Sequence, residues 1–251
     1  MRGRITDTVK HLLIINVIMF IGTMAIGEGQ LFYKYFALYF PKNDLFQPWQ
    51  ILTHMFMHGG LMHILFNMFA LWMFGTPVEQ IFGTKKFLIF YIFAGLGAAI
   101  LQLAYLYFNF NTGLTILTAD GFSGTEILNT LNQGKYNTGW EGVMGSDKLS
   151  SFVTSFNTTM VGASGAIMGV LVAFGMLFPE SKLMLIFLPI PVKAKYFIPA
   201  IIILDLISAL TGQSFFSPSN TAYVAHIGGA LTGFLMMYFW KKNEFDKHRW
   251  N

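Results

Sequence analysis

The 251-residue sequence has no cysteine, so it can form neither disulfides nor thiolate metal sites, and this absence leaves the cellular compartment open. Charge is also scarce, because Asp, Glu, Lys and Arg make up 11% of the residues, against roughly 25% in soluble globular proteins. So few charges cannot cover a water-soluble particle of this length. The formal net charge of +4 is too small to indicate a nucleic-acid partner. Apolar residues make up 54% of the chain, which indicates a helical bundle in a lipid bilayer.

Long apolar runs with few charges define the candidate membrane spans. A helix needs about 20 apolar residues to cross a hydrocarbon core roughly 30 Å thick, and helices are favoured there because they satisfy their own backbone hydrogen bonds. Such runs predict spans at residues 11–27, 63–82, 87–107, 161–178, 196–210 and 223–240. The predicted fold class is therefore an all-α membrane protein, a six-helix bundle that occupies residues 1–251 as a single domain.

The distribution of lysine and arginine predicts the orientation, since short cytoplasmic loops are enriched in these residues. The basic residues assigned to the cytoplasmic side are Arg2, Arg4, Lys10, Lys85, Lys86, Lys182, Lys193, Lys195, Lys241, Lys242, Lys247 and Arg249. The turn at residues 211–221, before the last span, has no charge. Both termini are thus predicted to be cytoplasmic, and loops 28–62 and 108–160 to face outward. We expect 109–150 to be a solvated loop with a short helix near 126–133, because it has too few apolar residues for a core.

Polar residues inside predicted spans are costly, so each is a candidate functional residue. His63 and Asn67 lie in the second span, Ser164 near the start of the fourth, and His226 near the start of the sixth. These three spans all enter from the outward side. Their polar side chains are therefore predicted to lie at a similar depth, near the outer edge of the bundle.

Small residues favour close contact between the fourth and sixth spans. Glycines four residues apart on one helix allow a second helix to approach closely in lipid. Each of these two spans has one such pair, and the four predicted packing residues are Gly165, Gly169, Gly229 and Gly233. Because His226 precedes Gly229 by three residues, it shares the packing face, and Ser164 is predicted to come within its reach.

These residue types suit acyl transfer. A serine hydroxyl becomes a strong nucleophile when a neighbouring imidazole takes its proton. The start of a helix leaves amides unpaired and has a partial positive charge, so Ser164 would stand beside donors for an oxyanion. Asn67 can donate amide hydrogens to that oxyanion, and His63 can assist.

Three motifs, in chain order, resemble the signatures of the rhomboid intramembrane serine proteases. HILFN at 63–67, GASG at 162–165 and AHIGGALTG at 225–233 are similar to the family's HxxxN, GxSG and AHxxGxxxG patterns. The resemblance implies a serine–histidine dyad at the outer edge of the bilayer, with Ser164 as nucleophile and His226 as general base. It implies an oxyanion site of Asn67, His63 and the Ser164 amide. It also implies single-span transmembrane substrates and no cofactor, while the oligomeric state stays unspecified.

The sequence departs from the family's usual pattern at some positions. Many members have Trp-Arg in the first loop, whereas this chain has Trp49 and Gln50. The position four residues after the serine is often an aromatic residue that stacks on the catalytic histidine, and here it is Met168. His54 and His58 resemble the family's histidine-rich first loop.

Other interpretations stay open beside the protease. A catalytically inactive rhomboid-like protein that binds membrane helices is the main alternative, and a transporter or channel is a second. Zinc is not expected at His54 and His58, because the HExxH pattern requires Glu where this chain has Met55. Asp205 lies toward the outer part of the fifth predicted span, so a triad with the serine and histidine stays open. Since the resemblance implies a dyad, a structural or hydrogen-bonding role is favoured for Asp205. A bacterial cytoplasmic membrane is the expected location.

Overall fold

The computed structural model describes residues 5–185, 188–211 and 223–247. Its helices are α1 (Asp7–Ala25), α2 (Gln30–Phe36), α3 (Gln50–Thr53), α4 (Leu61–Ala70), α5 (Thr76–Phe82), α6 (Thr84–Ala119), α7 (Gly124–Asn132), α8 (Gly139–Met144), α9 (Ser146–Asn157), α10 (Ser164–Leu177), α11 (Ala194–Thr211) and α12 (Tyr223–Lys247). Turns of 3-10 helix occupy Gly27–Gly29 and His54–Phe56, a π-helical turn at Leu71–Gly75 joins α4 to α5, and strands β1 (Lys182–Leu185) and β2 (Leu188–Lys193) precede α11.

Among the described residues, four helical stretches are long and apolar enough to cross a membrane. They are Asp7–Ala25, Leu61–Phe82, Thr84–Ala119 and Ala194–Thr211, which coincide with the first, second, third and fifth predicted spans. The other two predicted spans coincide with α10, an apolar helix of 14 residues, and with α12. The count of six spans and the cytoplasmic position of both termini stay predictions. Residues 212–221 of the uncharged turn, together with Arg2, Arg4 and Arg249, lie outside the described residues.

Helix α10 is the centre of the bundle. Every residue from Gly165 to Phe174 is buried, and a helix that is apolar on all sides belongs in a core. Its most extensive contacts are with α6 and α12, which also pack against each other. The start of α10 is therefore held between neighbouring helices, and this position matters for the site below.

The second apolar stretch contains a π-helical turn and is hydrogen-bonded to α1. Pro77 has no N–H and its ring excludes the carbonyl of Met73, which accounts for the π-helical turn just before α5. The buried carboxylate of Glu79 accepts 2.9 Å hydrogen bonds from the backbone N–H groups of Thr8 and Val9. These amides are in the first turn of α1, where unpaired N–H groups favour an anion. Glu79 thus fixes α1 against α5.

The prediction of a solvated loop at 109–150 is wrong. Helix α6 does not end at residue 107 but continues to Ala119, and α7, α8 and α9 follow. Of these, α7 corresponds to the short helix predicted near 126–133. Apolar residues from the C-terminal half of α6, these three helices and the first loop form a separate hydrophobic cluster of Phe40, Leu106, Phe110, Leu117, Ile127, Leu131, Trp140, Met144, Leu149, Phe152 and Phe156. The apolar residues are few, but they recur at helical spacing and face one another, so they form a core.

The all-α prediction also needs one correction. Strands β1 and β2 pair antiparallel, with Lys182 opposite Lys193 and Leu183 opposite Val192. At the base of this hairpin Glu180 contacts the ammonium groups of Lys193 and Lys195, each at 2.6 Å. These hydrogen bonds lower the pKa of Glu180 to about 2. The pairs are exposed, so they contribute little to stability.

Candidate active site

Ser164 and His226 meet at the starts of two packed helices. Ser164 is the first residue of α10, and its Oγ lies 2.9 Å from Nε2 of His226, which is in the first turn of α12. This is the separation of a good hydrogen bond. The two side chains that the sequence analysis paired are therefore within proton-transfer reach.

Glycines make this approach possible. A Cβ added to Gly229 would lie 2.7 Å from the carbonyl carbon of Gly165, and one added to Gly233 would lie 2.6 Å from Cα of Gly169. Any side chain at either position would collide with backbone. The structure thus places all four predicted packing glycines in one crossing of α10 and α12, directly beside the Ser164–His226 contact.

His63 approaches the serine from α4. Gly162 has φ +127°, and a Cβ there would lie 2.9 Å from Nε2 of His63 and 3.7 Å from Oγ of Ser164. Glycine is therefore required at 162 for both conformation and space. The N–H of Gly59 donates to Nδ1 of His63 at 3.3 Å, which leaves the ring proton on Nε2. His63 accordingly presents a donor beside the serine.

Asn67 lies one turn further along α4, on the same face as His63. Its side chain is buried, and Nδ2 donates to the carbonyl of His63 at 2.8 Å. This bond uses one of the two Nδ2 hydrogens and orients the amide along the helix. The structure gives Asn67 a place beneath His63 rather than a direct bond to Ser164.

The first loop is organised by a residue whose role sequence reasoning missed. Gln50 is fully buried. Its Nε2 donates to the carbonyl of Lys34 at 3.0 Å and to that of Leu45 at 3.1 Å. Its Oε1 accepts from the N–H of Gln47 at 3.0 Å and from that of Tyr39 at 3.4 Å. One neutral amide thus ties four separate backbone groups together. A glutamine flanked by apolar residues was the available signal, since buried polar groups are normally fully hydrogen-bonded.

Backbone bonds join this loop to the serine segment. Leu38 and Met160 exchange two hydrogen bonds, with N···O distances of 3.0 and 2.8 Å. The N–H of Gly162 donates to the carbonyl of His54 at 2.9 Å. The first loop therefore holds the chain in place just before Ser164.

The two histidines of the first loop are buried. Burial disfavours the charged imidazole and lowers the pKa of His54 to about 4. Burial, together with the nearby His63 ring, lowers the pKa of His58 to about 3. Both are neutral at pH 7. Within residues 5–185, 188–211 and 223–247, no group of three His, Asp or Glu side chains is placed to hold a metal ion.

Asp205 does not stand apart from the serine–histidine pair. Its Oδ2 lies 2.9 Å from Nδ1 of His226, and both side chains are mostly buried, with 14% and 15% exposed. Asp205 therefore hydrogen-bonds to the same histidine that contacts Ser164. The signal was an ionisable residue inside an apolar helix, which is rarely without function.

The fold and the site together define a class of protein. Long apolar helices, with polar side chains gathered where α4, α10 and α12 begin, are the architecture of a multi-pass integral membrane protein. The Rhomboid domain model matches residues 45–127 and 137–243. The chain therefore belongs to the rhomboid family, which confirms the resemblance seen in its motifs.

Individual relatives extend this result. The chain is 28% identical over 244 residues to the human presenilin-associated rhomboid-like protein, mitochondrial, a match that covers 94% of this chain and 50% of that protein. It is 42% identical over 52 residues to the rhomboid protease GluP of Bacillus subtilis, covering 21% and 10% of the two chains. RHOMBOID-like protein 6, mitochondrial, of Arabidopsis thaliana is 33% identical over 67 residues, covering 27% of this chain and 22% of that protein. The chain spans about half the length of the presenilin-associated relatives.

Proposed function

We propose that this protein is an intramembrane serine endopeptidase that hydrolyses peptide bonds of transmembrane proteins near the outer membrane face. The observation that supports it most directly is the 2.9 Å contact between Ser164 Oγ and His226 Nε2 at the start of a buried helix. The name of the B. subtilis relative, a rhomboid protease, agrees with this activity.

The chemistry follows from the order of the contacts. His226 takes the hydroxyl proton at Nε2 as Ser164 Oγ bonds to the scissile carbonyl carbon. The carbonyl electrons move to the oxygen, and when they return the C–N bond breaks and the leaving amine takes the proton from His226. Water then hydrolyses the acyl-enzyme by the same transfers in reverse, which regenerates the serine.

The developing oxyanion has three candidate donors. The backbone N–H of Ser164 is in the first turn of α10 and has no partner within the helix. Nε2–H of His63 points to the space beside Gly162 and Ser164. The second Nδ2 hydrogen of Asn67 completes the set, with the amide oriented by its bond to His63.

Substrate class and topology follow from the positions of these residues. Six spans, cytoplasmic termini and an outward-facing site fit the shared location of His63, Ser164 and His226 at the starts of α4, α10 and α12. Peptide-bond hydrolysis at membrane depth needs water and an unwound backbone, both of which require a protein-lined cavity. Single-span proteins whose helix frays near the outer face are the expected substrates. The relatives named above are mitochondrial and bacterial, and a bacterial cytoplasmic membrane remains our expectation.

The test is cleavage of tagged single-span proteins by the purified chain in liposomes, with product masses mapping the cut. We expect Ser164→Ala and His226→Ala to abolish turnover. Asn67→Ala should keep a small residual activity, because the loss of one oxyanion donor lowers the rate about 10²–10³-fold. Full cleavage by purified Ser164→Ala would overturn the proposal. Binding of the same substrates by the wild type without any cut would favour the inactive, helix-binding alternative.

A further inference from the structure

The geometry points to a third member of the site: we propose that Asp205 is a positioning residue that holds and stabilises His226 during proton transfer. This inference rests on the proposed hydrolytic function and replaces a serine–histidine dyad with a relay of three side chains. Asp205 hydrogen-bonds to His226 and not to Ser164 in the described residues, so it acts through the histidine.

The three side chains lie in one continuous line. Asp205 Oδ2 is 2.9 Å from His226 Nδ1, and His226 Nε2 is 2.9 Å from Ser164 Oγ. The imidazole is thus bonded at both of its nitrogens. Each residue comes from a different helix, α11, α12 and α10, and these three helices pack against one another.

The carboxylate determines which ring nitrogen has the proton. An ionised Asp is an acceptor only, so Nδ1 of His226 must donate to it. The lone pair of Nε2 is then directed at the serine hydroxyl, which is the state a general base requires. When the serine proton arrives at Nε2, the imidazolium has Asp205 as its counter-ion, and the carboxylate itself is never protonated.

Burial strengthens the interaction between Asp205 and His226. The Asp205 and His226 side chains are 14% and 15% exposed, so solvent screens their interaction less than it would at a surface. A carboxylate in a predicted span is costly unless it is paired. His226 is the partner that the structure gives Asp205, which explains why a charged residue is tolerated in α11.

The test compares Asp205→Asn, Asp205→Ala and Asp205→Glu with wild type in the liposome cleavage assay. Loss of the third group in serine proteases lowers kcat about 10⁴-fold, and we expect a kcat loss of about 10²–10⁴-fold for Asn and Ala with KM nearly unchanged. Glu should restore part of the rate. Added formate should restore turnover in Asp205→Ala, because it can occupy the vacated carboxylate position. A purely structural role would give neither the kcat-specific loss nor the formate rescue.

The matched control is Asp147→Asn, the same chemical change in α9, which should turn over like wild type. Turnover by folded Asp205→Asn within about threefold of wild type would overturn the inference, since the expected loss is at least about 10²-fold. If the variants do not fold, nitrogen NMR of histidine-labelled wild type decides: the proposal requires the Nδ1–H tautomer at His226, and the Nε2–H tautomer would overturn it. Failure of wild type to cleave any substrate would instead count against the proposed function itself.

Discussion

Substitution of Gly229 by alanine tests whether the α10–α12 backbone contact sets the geometry of the site. The added Cβ would stand 2.7 Å from the carbonyl carbon of Gly165 and 3.3 Å from its Cα. Carbon atoms pack at about 3.5–4.0 Å, so the helices must separate by about 1 Å. Helix α10 cannot move away from α12 without meeting α6, because α6 already packs closely against Gly165. A Cβ added to Gly165 would lie 2.5 Å from Cβ of Ala98 on α6.

This displacement acts directly on the reacting pair. Ser164 is adjacent to Gly165, and His226 is one turn before Gly229, so a shift of about 1 Å breaks their hydrogen bond. Misplacement of this size costs about 10²-fold in rate, and overpacking costs about 1–3 kcal/mol of stability. We therefore expect Gly229→Ala to lose about 10²-fold in kcat and to unfold at lower temperature in detergent.

The matched control is Gly142→Ala in α8, where an added Cβ meets no atom within 4 Å. It should keep wild-type turnover, and its stability should rise slightly because alanine is the better helix former. Activity is followed as cleavage of a tagged single-span substrate in liposomes, and folding as thermal unfolding in detergent. Wild-type kcat and unchanged unfolding temperature in Gly229→Ala would refute the close-packing account.

Two further predictions concern the first loop. Gln50→Leu should lower the free energy of unfolding by about 2–4 kcal/mol, because it leaves buried backbone groups without their partner; denaturant unfolding in mixed micelles measures this, and a loss below measurement error would count against it. The free energy of unfolding should also decrease as the pH is lowered. The buried His54 and His58 have pKa values of about 4 and 3. Below about pH 6.5 these histidines therefore bind protons in the unfolded chain but not in the folded chain. His58→Phe should flatten the decline between pH 7 and 5, seen in the unfolding temperature, and an equally steep decline would contradict this explanation.

The sequence predicted the helices best where apolar runs are long and free of charge. The stretches Asp7–Ala25, Leu61–Phe82 and Ala194–Thr211 each lie within a few residues of the predicted bounds. Glycine spacing predicted the α10–α12 contact for the same local reason, since i and i+4 positions share a helix face. Signals that depend on near neighbours in the chain are readable without a structure.

Features that depend on distant partners were missed. Each helix within residues 120–157 is mostly polar when it is considered alone. Its few apolar residues become part of a hydrophobic core only because these helices pack on α6 and Phe40. The sequence does not show the role of Gln50, because its four backbone partners come from separate parts of the loop. The sequence predicts that Asp205 lies in the fifth span, but whether its side chain faces His226 depends on how α11 packs on α12.

The central claim is that Ser164 is a nucleophile activated by His226, and labelling with a fluorophosphonate tests it most directly. The purified wild-type chain in detergent is exposed to the probe, and peptide masses then locate the adduct. We expect a phosphonyl group on Ser164, and we expect none when His226 is replaced by alanine. A folded wild-type protein that acquires no adduct at Ser164, yet still cleaves membrane proteins, would contradict it.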